Sequence, residues 1–188
     1  MTGSEAAGYK TDEDLAREAR AGSSRSFEEL ALRYRRRLFA FFRPRLGSDQ
    51  DAEDLVQETL MKLYRNIGSF DSAYRFSTWL YTSAGRLAIS TYRRRSTAAA
   101  GLRAAAEREP AATIEAEAGR TDSARLWELA ETLHRNQFRA LWLRYAEEMS
   151  VDDIAVAMGK SRVAVRILLH RARTNLMKQE GEKRCSVI

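Results

Sequence analysis

Apolar residues recur along this chain mainly at the spacing of an α-helix. Near the C-terminal end, Ser150 stands where a helix N-cap is expected. A short apolar stripe follows it at helical spacing: Ile154, Ala155 and Met158. Gly159 then supplies a tight turn, Ser161 can cap the next segment, and a longer stripe continues through Val165, Leu168, Leu169, Ala172 and Leu176. The two segments predict a helix-turn-helix.

The other face of the second helix is basic, with Arg162, Arg166, His170 and Arg173. Such a row suits the phosphates and guanine edges of a DNA major groove. A helical hairpin with solvated arginines is the alternative interpretation. The small Ala155, the turn at Gly159 and the basic row together favour DNA binding.

Helical spacing also organises the first half of the chain. A short helix is predicted from Asp14 to near Gly22, and Ser26 to Glu29 resemble a capping box at the start of a second helix. The apolar stripe of that second helix contains Phe27, Leu30, Ala31, Tyr34, Leu38, Phe41 and Phe42. Its other face carries Arg33, Arg35, Arg36 and Arg37, which we interpret as solvated.

An acidic helix follows Ser48. Residues 51–58 place four carboxylates in two turns without a Lys or Arg. The stripe predicted to face inward is Leu55, Leu60, Leu63 and Tyr64, which leaves Asp51, Asp54, Gln57 and Glu58 outside. In a basic protein this cluster is a candidate docking patch for a basic partner. A catalytic carboxylate pair is a poorer interpretation, because no neighbouring residue suggests a separate acid and base.

Aromatic and basic residues alternate between residues 74 and 95. Ser77 is predicted to cap a helix here. The aromatic residues are Tyr74, Trp79, Tyr81 and Tyr92, and the basic ones are Arg75, Arg86, Arg93, Arg94 and Arg95. This mixture suits the stacking of unpaired bases beside neutralised phosphates. Phe76 and Trp79 can equally be core residues, so the arginines carry the functional signal better.

The chain is predicted to be all-α, with two small helical domains joined by a flexible linker. The domains are expected at 12–95 and 121–178, and the second contains the helix-turn-helix. Residues 96–120 are rich in Ala, Glu and Arg and form the predicted linker. A disordered start at 1–11 and a charged tail at 179–188 complete the predicted organisation.

Composition narrows the classes of function. The 188 residues are 44% hydrophobic and carry a net charge of +6, which suits a polyanionic partner. One cysteine and two histidines provide neither a disulfide framework nor a set of metal ligands, so no cofactor and no metal site are expected. No apolar run reaches the length of a membrane span and no signal-peptide core is present, which makes a cytoplasmic location the expectation.

Several motifs occur in the order found in a known family. They are Phe27-Glu-Glu-Leu30, Arg33-Tyr34, Asp51-Ala-Glu-Asp-Leu-Val-Gln-Glu58, Phe76-Ser-Thr-Trp-Leu-Tyr81 and Leu169-His-Arg-Ala-Arg173. Together they resemble the extracytoplasmic-function type of bacterial RNA polymerase sigma factor. The resemblance implies a transcription initiation factor without bond chemistry of its own, whose partners are core RNA polymerase and promoter DNA. Anti-sigma partners are common in that family.

The resemblance also implies which residues meet each partner. Asp51, Glu53, Asp54, Gln57 and Glu58 would dock on the polymerase clamp helices. The single-stranded minus-ten element would be held by Tyr74, Arg75, Trp79, Tyr81, Arg86, Arg93, Arg94 and Arg95. The duplex minus-thirty-five element would be read by Lys160, Ser161, Arg162, Arg166, His170, Arg171 and Arg173.

The sequence departs from the family pattern at three places, one of which is Leu133-His134, where the family often has Leu-Pro ahead of the second domain. Arg86 stands where the family usually has Asn, after Gly85, which weakens a helix interior by about 1 kcal/mol relative to Ala. In the predicted recognition helix the usual Thr, Ser and Arg are replaced by Ala164, Ile167 and Leu168. Leu168 fits the buried stripe, whereas Ile167 would lie near the DNA and cannot hydrogen-bond a base edge.

Two other functions are compatible with parts of the sequence. A stand-alone regulator would bind duplex DNA through the same helix-turn-helix, usually as a dimer. No dimerisation heptads or ligand domain support this alternative. An RNA-acting enzyme would also have a basic surface, but the sequence lacks the His, Cys or metal-ligand clusters that such chemistry needs.

Overall fold

The computed structural model of the chain describes residues 10–46, 48–102 and 122–185, and all regular structure in those ranges is helical. Eight α-helices follow one another: α1 (Asp12–Arg20), α2 (Ser24–Phe42), α3 (Asp49–Arg65), α4 (Phe76–Leu102), α5 (Asp122–Glu131), α6 (Arg135–Tyr145), α7 (Val151–Met158) and α8 (Arg162–Cys185). Short 3₁₀ helices lie at Arg43–Arg45 and Ile67–Ser69. The predicted all-α class is confirmed.

The second helix begins at a different serine from the one predicted. Ser23 is its N-cap, and the Ser23 hydroxyl accepts the backbone N–H of Ser26. Ser26 itself is buried in the first turn, where its hydroxyl donates to a carboxylate oxygen of Glu18 at 2.5 Å. The two serines are three residues apart and both are compatible with a cap, so a tertiary hydrogen bond to α1 decides between them.

The start of α4 is also stabilised from a distance. Ser77, the predicted cap, lies inside the helix and is buried. The backbone N–H of Phe76 donates instead to the Glu13 carboxylate in α1, at 3.0 Å. A side chain 63 residues earlier therefore satisfies one of the amides that the first turn leaves unpaired.

Two helices extend beyond the predicted domain limits. Helix α4 continues past residue 95 to Leu102, into the segment predicted as linker, and α8 continues to Cys185, into the predicted tail. The predicted disordered start falls largely on residues 1–9 and most of the predicted linker on residues 103–121. Both ranges lie outside the described residues.

Helices α1 to α4 form the N-terminal domain. Its core contains Leu30, Leu38, Leu63, Phe70 and Phe76, each at most 1% exposed. The apolar stripe predicted for α2 is buried as expected, apart from the half-buried Ala31.

The sequence predicts that the arginine face of α2 is solvated. In the structure, two of its arginines form ion pairs with other helices or loops instead. Arg33 pairs with Asp12 of α1 at 2.7 Å, and Arg37 pairs with Glu147, far along the chain, at 2.5 Å. The sequence interpretation was wrong for these two arginines because it considered each helix alone.

Helices α5 to α8 form the C-terminal domain, and the predicted helix-turn-helix is confirmed. The Ser150 hydroxyl accepts the backbone N–H of Asp153 at 3.1 Å and so caps α7. Gly159 ends that helix with φ +60°, in the left-handed region that favours glycine. Ser161 accepts the N–H of Ala164 at 3.2 Å and opens α8.

The two domains pack against each other through α4 and α7, and their buried side chains form one continuous cluster. Arg139 of α6 inserts into this contact and is only 8% exposed. One terminal nitrogen of its guanidinium donates to the carbonyl of Ala157 at 2.7 Å and to that of Tyr81 in α4 at 3.4 Å. Burial lowers the pKa of Arg139 to about 10.

Gly85 makes this close approach possible. A Cβ atom built at Gly85 would lie 1.7 Å from the Arg139 guanidinium nitrogen, far inside any van der Waals contact. The helix-weakening glycine noted in the sequence therefore has a packing reason: it leaves room on α4 for a buried cation from the other domain.

A second polar contact between the domains surrounds Glu147. Its carboxylate is buried, accepts the Tyr81 hydroxyl at 2.5 Å and pairs with Arg37 at 2.5 Å. Burial raises the pKa of Glu147 and outweighs the hydrogen bond from Tyr81 and the positive charge of Arg37, which lower it. The same burial raises the pKa of Tyr81 well above its ordinary value.

The Gly85 contact generates a stability prediction. Gly181 is an exposed helical residue, and a Cβ atom built there would have no neighbouring atom within 4 Å. Gly181→Ala should therefore raise the free energy of unfolding by about 0.5–1 kcal/mol. Gly85→Ala has the same helix preference but must displace the buried Arg139. It should be less stable than the Gly181→Ala control by about 1–3 kcal/mol in urea unfolding. Equal stabilisation of both variants would contradict the contact.

Glu147 generates a pH prediction. Because its folded pKa is raised, the folded chain keeps this proton to a higher pH than the unfolded chain does. The resulting stability is complete below the ordinary pKa of 4.5 and is lost as pH rises through the raised value. The unfolding free energy of the wild type, minus that of Glu147→Gln, should therefore fall as pH rises.

Glu148, the exposed residue next to Glu147, supplies the control for the pH experiment. Glu148→Gln removes the same charge at an exposed position, and its unfolding free energy should follow that of the wild type through the same pH range. If the wild-type and Glu147→Gln proteins differ by a constant amount across the range, the raised pKa is refuted.

Candidate protein-docking and nucleic-acid interfaces

The acidic side chains of α3 divide into an exposed group and a half-buried group. Asp54, Gln57 and Glu58 are exposed, and they border an open groove with Met61, Lys62, Arg65 and Asn66. The opposite side of the helix packs into the core through Ala52, Leu55, Val56 and Leu63. Asp51 and Glu53 are half-buried, and Glu53 accepts a hydrogen bond from Arg35 at 3.2 Å. The exposed acids therefore form a surface open to a partner.

Apolar surface adjoins these acids, which sequence reasoning missed. Met61 and Tyr64 are each 53% exposed. Tyr64 was predicted to face inward, but its ring packs edge-on against Phe27, with centroids 5.0 Å apart, at the rim of the core. Met61 stands four residues after Gln57, so helical spacing alone places it on the same face.

The basic and aromatic residues around α4 are mostly exposed. Tyr74 and Arg75 precede the helix and are exposed, as are Arg86, Arg93 and Arg94 along it. The side chain of Arg95 lies outside what the structure describes. Exposed arginines thus lie just before α4 and within its middle part, from residue 86 to residue 94.

Trp79 occupies an intermediate position. It is half-buried, and its ring lies 5.6 Å from that of Phe70 and 5.9 Å from that of Phe76, measured between centroids. Phe76 is fully buried, which supports the core interpretation for that residue. Trp79 is therefore neither a fully enclosed core residue nor a fully exposed one.

Tyr81 does not occupy the exposed position that base stacking requires. Its side chain is 0% exposed, packs edge-on against Phe41 and donates its hydroxyl to Glu147 of the other domain. The sequence suggested a stacking role because Tyr81 belongs to an aromatic run. The structure corrects this interpretation: Tyr81 is a core residue at the contact between the domains.

Other residues of α4 also meet the C-terminal domain. Thr78 donates its hydroxyl to Asp153 of α7 at 3.2 Å. The guanidinium of Arg135 lies over the Tyr92 ring, 3.5 Å from its centroid. Together with Tyr81, these contacts show that α6 and α7 cover one side of α4 and leave its arginines on the other.

The basic residues predicted to contact duplex DNA all lie on the surface, at the turn before α8 or along that helix. They are Lys160, Ser161, Arg162, Arg166, His170, Arg171 and Arg173, and each is exposed. Arg162 pairs with Asp152 of α7 at 2.5 Å, and Arg173 donates to the Tyr145 hydroxyl at 2.9 Å. A separate stripe of the helix, including Val165, Leu169 and Ala172, is buried. The helix therefore presents a basic surface to solvent.

Within the described part of the chain, no group of three or more His, Cys, Asp or Glu side chains is arranged to hold a metal ion. No described helix is both long and apolar enough to cross a membrane.

Both domains match family models. Residues 30–97 match the model described as Sigma-70 region 2, and residues 123–176 match the model described as Sigma-70, region 4. The first range contains the acidic face of α3 and most of α4. The second contains the helix-turn-helix.

Curated proteins and solved structures give the same result over most of the chain. RNA polymerase sigma factor CarQ of Myxococcus xanthus is 30% identical, in an alignment covering 87% of this chain and 94% of CarQ. ECF RNA polymerase sigma factor SigW of Bacillus subtilis is 25% identical over 87% of this chain and 93% of SigW.

Among solved structures, the sigma factor RpoE from Bartonella quintana, in complex with the anti-sigma factor NepR, is 27% identical. It superimposes with a TM-score of 0.70 over 82% of this chain and 96% of its own.

Proposed function

The chain belongs to the extracytoplasmic-function RNA polymerase sigma factors, and we propose that three of its surfaces each bind a different partner during transcription initiation. As a family member it directs RNA polymerase to promoters. The observation that supports the division is the segregation of charge, with exposed acids on α3 and exposed arginines on α4 and α8. We further propose that it acts in the cytoplasm and catalyses no bond chemistry itself.

The acidic surface of α3 would bind core RNA polymerase. Asp54, Gln57 and Glu58 are its centre, and Met61 and Tyr64 add apolar area at the edge. An interface of this kind gains affinity from its apolar contacts and its orientation and association rate from the charges. Asp51 and Glu53 would contribute less, since they are half-buried and Glu53 is already engaged by Arg35.

The surface around α4 would hold the minus-ten element as single strand. Tyr74 and the half-buried Trp79 would offer aromatic surface to unpaired bases, while Arg75, Arg86, Arg93, Arg94 and Arg95 would neutralise phosphates. Tyr81 is left out of this set, because its ring is enclosed between the domains.

The helix α8 would read the minus-thirty-five element as duplex. Its exposed basic residues lie on a helix that follows a tight turn, the arrangement with which helix-turn-helix proteins enter a major groove. Arg166 is the residue on this surface that we expect to reach a guanine edge, and Lys160, Arg171 and Arg173 would contact phosphates.

An anti-sigma factor is a further proposed partner. The RpoE chain solved with NepR resembles this chain across both domains. A stand-alone duplex-binding regulator is disfavoured, because such a protein has no need for the Sigma-70 region 2 domain that occupies residues 30–97.

Docking is tested by reversing the charge of the acidic surface. Asp54→Lys combined with Glu58→Lys should abolish binding to core polymerase, measured by gel filtration or fluorescence, and leave the circular dichroism spectrum unchanged. Glu28→Lys with Glu180→Lys makes the same change in net charge at exposed positions elsewhere and should leave binding intact. Retained binding by the first variant would remove the docking proposal.

Duplex recognition is tested at Arg166. Arg166→Ala should weaken binding of the holoenzyme to its upstream element by about 1–3 kcal/mol if the guanidinium makes a bidentate base contact. Arg125→Ala removes an exposed arginine from α5 and serves as the control. Equal affinities for both variants would show that Arg166 faces only solvent.

A further inference from the structure

The outermost ridge of α8 is apolar rather than basic in the first two turns of the helix. Successive residues of a helix are rotated by about 100°. Relative to the buried Val165, Leu169, Ala172 and Leu176, the residues directly opposite are Val163, Ile167 and Thr174. Val163 is 62% exposed and Ile167 is 46% exposed. The arginines lie beside this ridge rather than on its crest.

The position of this ridge determines what it can meet. Val163 lies in the first turn of α8 and Ile167 one turn later. Both are therefore near the N-terminus of the helix, directly after the tight turn. In a helix-turn-helix, residues there contact base edges, while flanking cations contact phosphates. Arg162 lies on one side of the ridge and Arg171 on the other, as flanking cations would, and Arg166 is the cation beside the ridge that we propose reaches a guanine edge. This arrangement of charges fits a ridge that enters the major groove of duplex DNA, with cations near the phosphates on both sides.

Neither side chain can donate or accept a hydrogen bond, so each must recognise a base by apolar contact. In the major groove the apolar group that distinguishes one base from the others is the C5-methyl of thymine. We propose that Val163 and Ile167 determine specificity by contacting thymine methyl groups in the upstream promoter element. The proposal rests on the proposed role of α8 in reading that element.

The spacing of the two residues limits where the thymines lie. Four residues advance a helix by about 6 Å, whereas successive base pairs are about 3.4 Å apart. The two methyl groups should therefore belong to base pairs that are adjacent or separated by one pair. Either strand can supply them, because both strands expose the methyl group in the major groove.

The experiment uses the full chain with purified core polymerase. A promoter library randomised through the upstream duplex is first selected for binding, and enrichment of thymines within three successive base pairs is expected. Each enriched thymine is then replaced by deoxyuracil, which removes the methyl group and keeps every hydrogen-bonding group. Loss of one buried methyl contact should weaken wild-type binding about four-fold.

Variants identify which side chain makes each contact. Val163→Ala and Ile167→Ala holoenzymes should each lose sensitivity to deoxyuracil at one position and keep it at the other. Val156→Ala removes the same atoms from a residue that is 54% exposed on α7, so it should retain the wild-type pattern. Replacing a cytosine at a sensitive position with 5-methylcytosine should recover part of the wild-type affinity relative to unmodified cytosine.

The experiment distinguishes failure of the thymine-contact proposal from failure of the proposed role of α8. If the library shows upstream enrichment and Arg166→Ala weakens binding, but deoxyuracil has no effect, then α8 reads DNA and the thymine proposal is wrong. If no upstream enrichment occurs and Arg166→Ala has no effect either, then the proposed role of α8 fails. An effect of Val163→Ala or Ile167→Ala confined to assembly with core polymerase would overturn the proposal by assigning the ridge to a protein contact.

Discussion

The packing of α7 against α4 determines the arrangement of the whole chain. Most of the stability of a protein helix comes from packing its apolar face, so that face must be covered by another element. Within each domain the neighbouring helices provide that cover. Between the domains, α4 offers a face with an unusually small residue, Gly85, and the C-terminal domain fills it with Arg139. One apolar cluster thus extends through both halves of the chain.

This packing gives α4 two different sides. One side holds Thr78, Tyr81 and Tyr92 against the C-terminal domain, and the other presents Arg86, Arg93 and Arg94 to solvent. The acidic surface of α3 and the basic surface of α8 both remain open in the same arrangement. The contacts proposed with a polymerase and with a duplex could therefore begin while the domains are together, whereas Tyr81 is reached only if they separate.

The helices and the chemical character of the surfaces could be predicted from sequence because both depend on local periodicity. The caps at Ser48, Ser150 and Ser161 are satisfied within three residues, and a reader of the sequence can find them. The cap of α4 comes from Glu13, and Ser26 is drawn into the core by Glu18, so neither outcome is visible locally.

Residues at the contact between the domains were the hardest to predict. Arg37 resembles any exposed arginine, and Tyr81 resembles any member of an aromatic run, until Glu147 is placed between them. Gly85 stood out only as a weak position in a helix, and nothing near it in sequence indicates Arg139. These assignments depend on pairs of residues more than 50 positions apart, which helical spacing does not connect.

The ionisable groups enclosed between the domains affect how readily the two halves come apart. Glu147 and Arg139 both lost much of their hydration when they were enclosed, and for Arg139 the compensating acceptors are backbone carbonyls rather than a carboxylate. If the halves separate, water returns to both groups, and this rehydration offsets part of the apolar contact that is given up. The contact between the domains is therefore easier to open than its buried apolar area alone suggests.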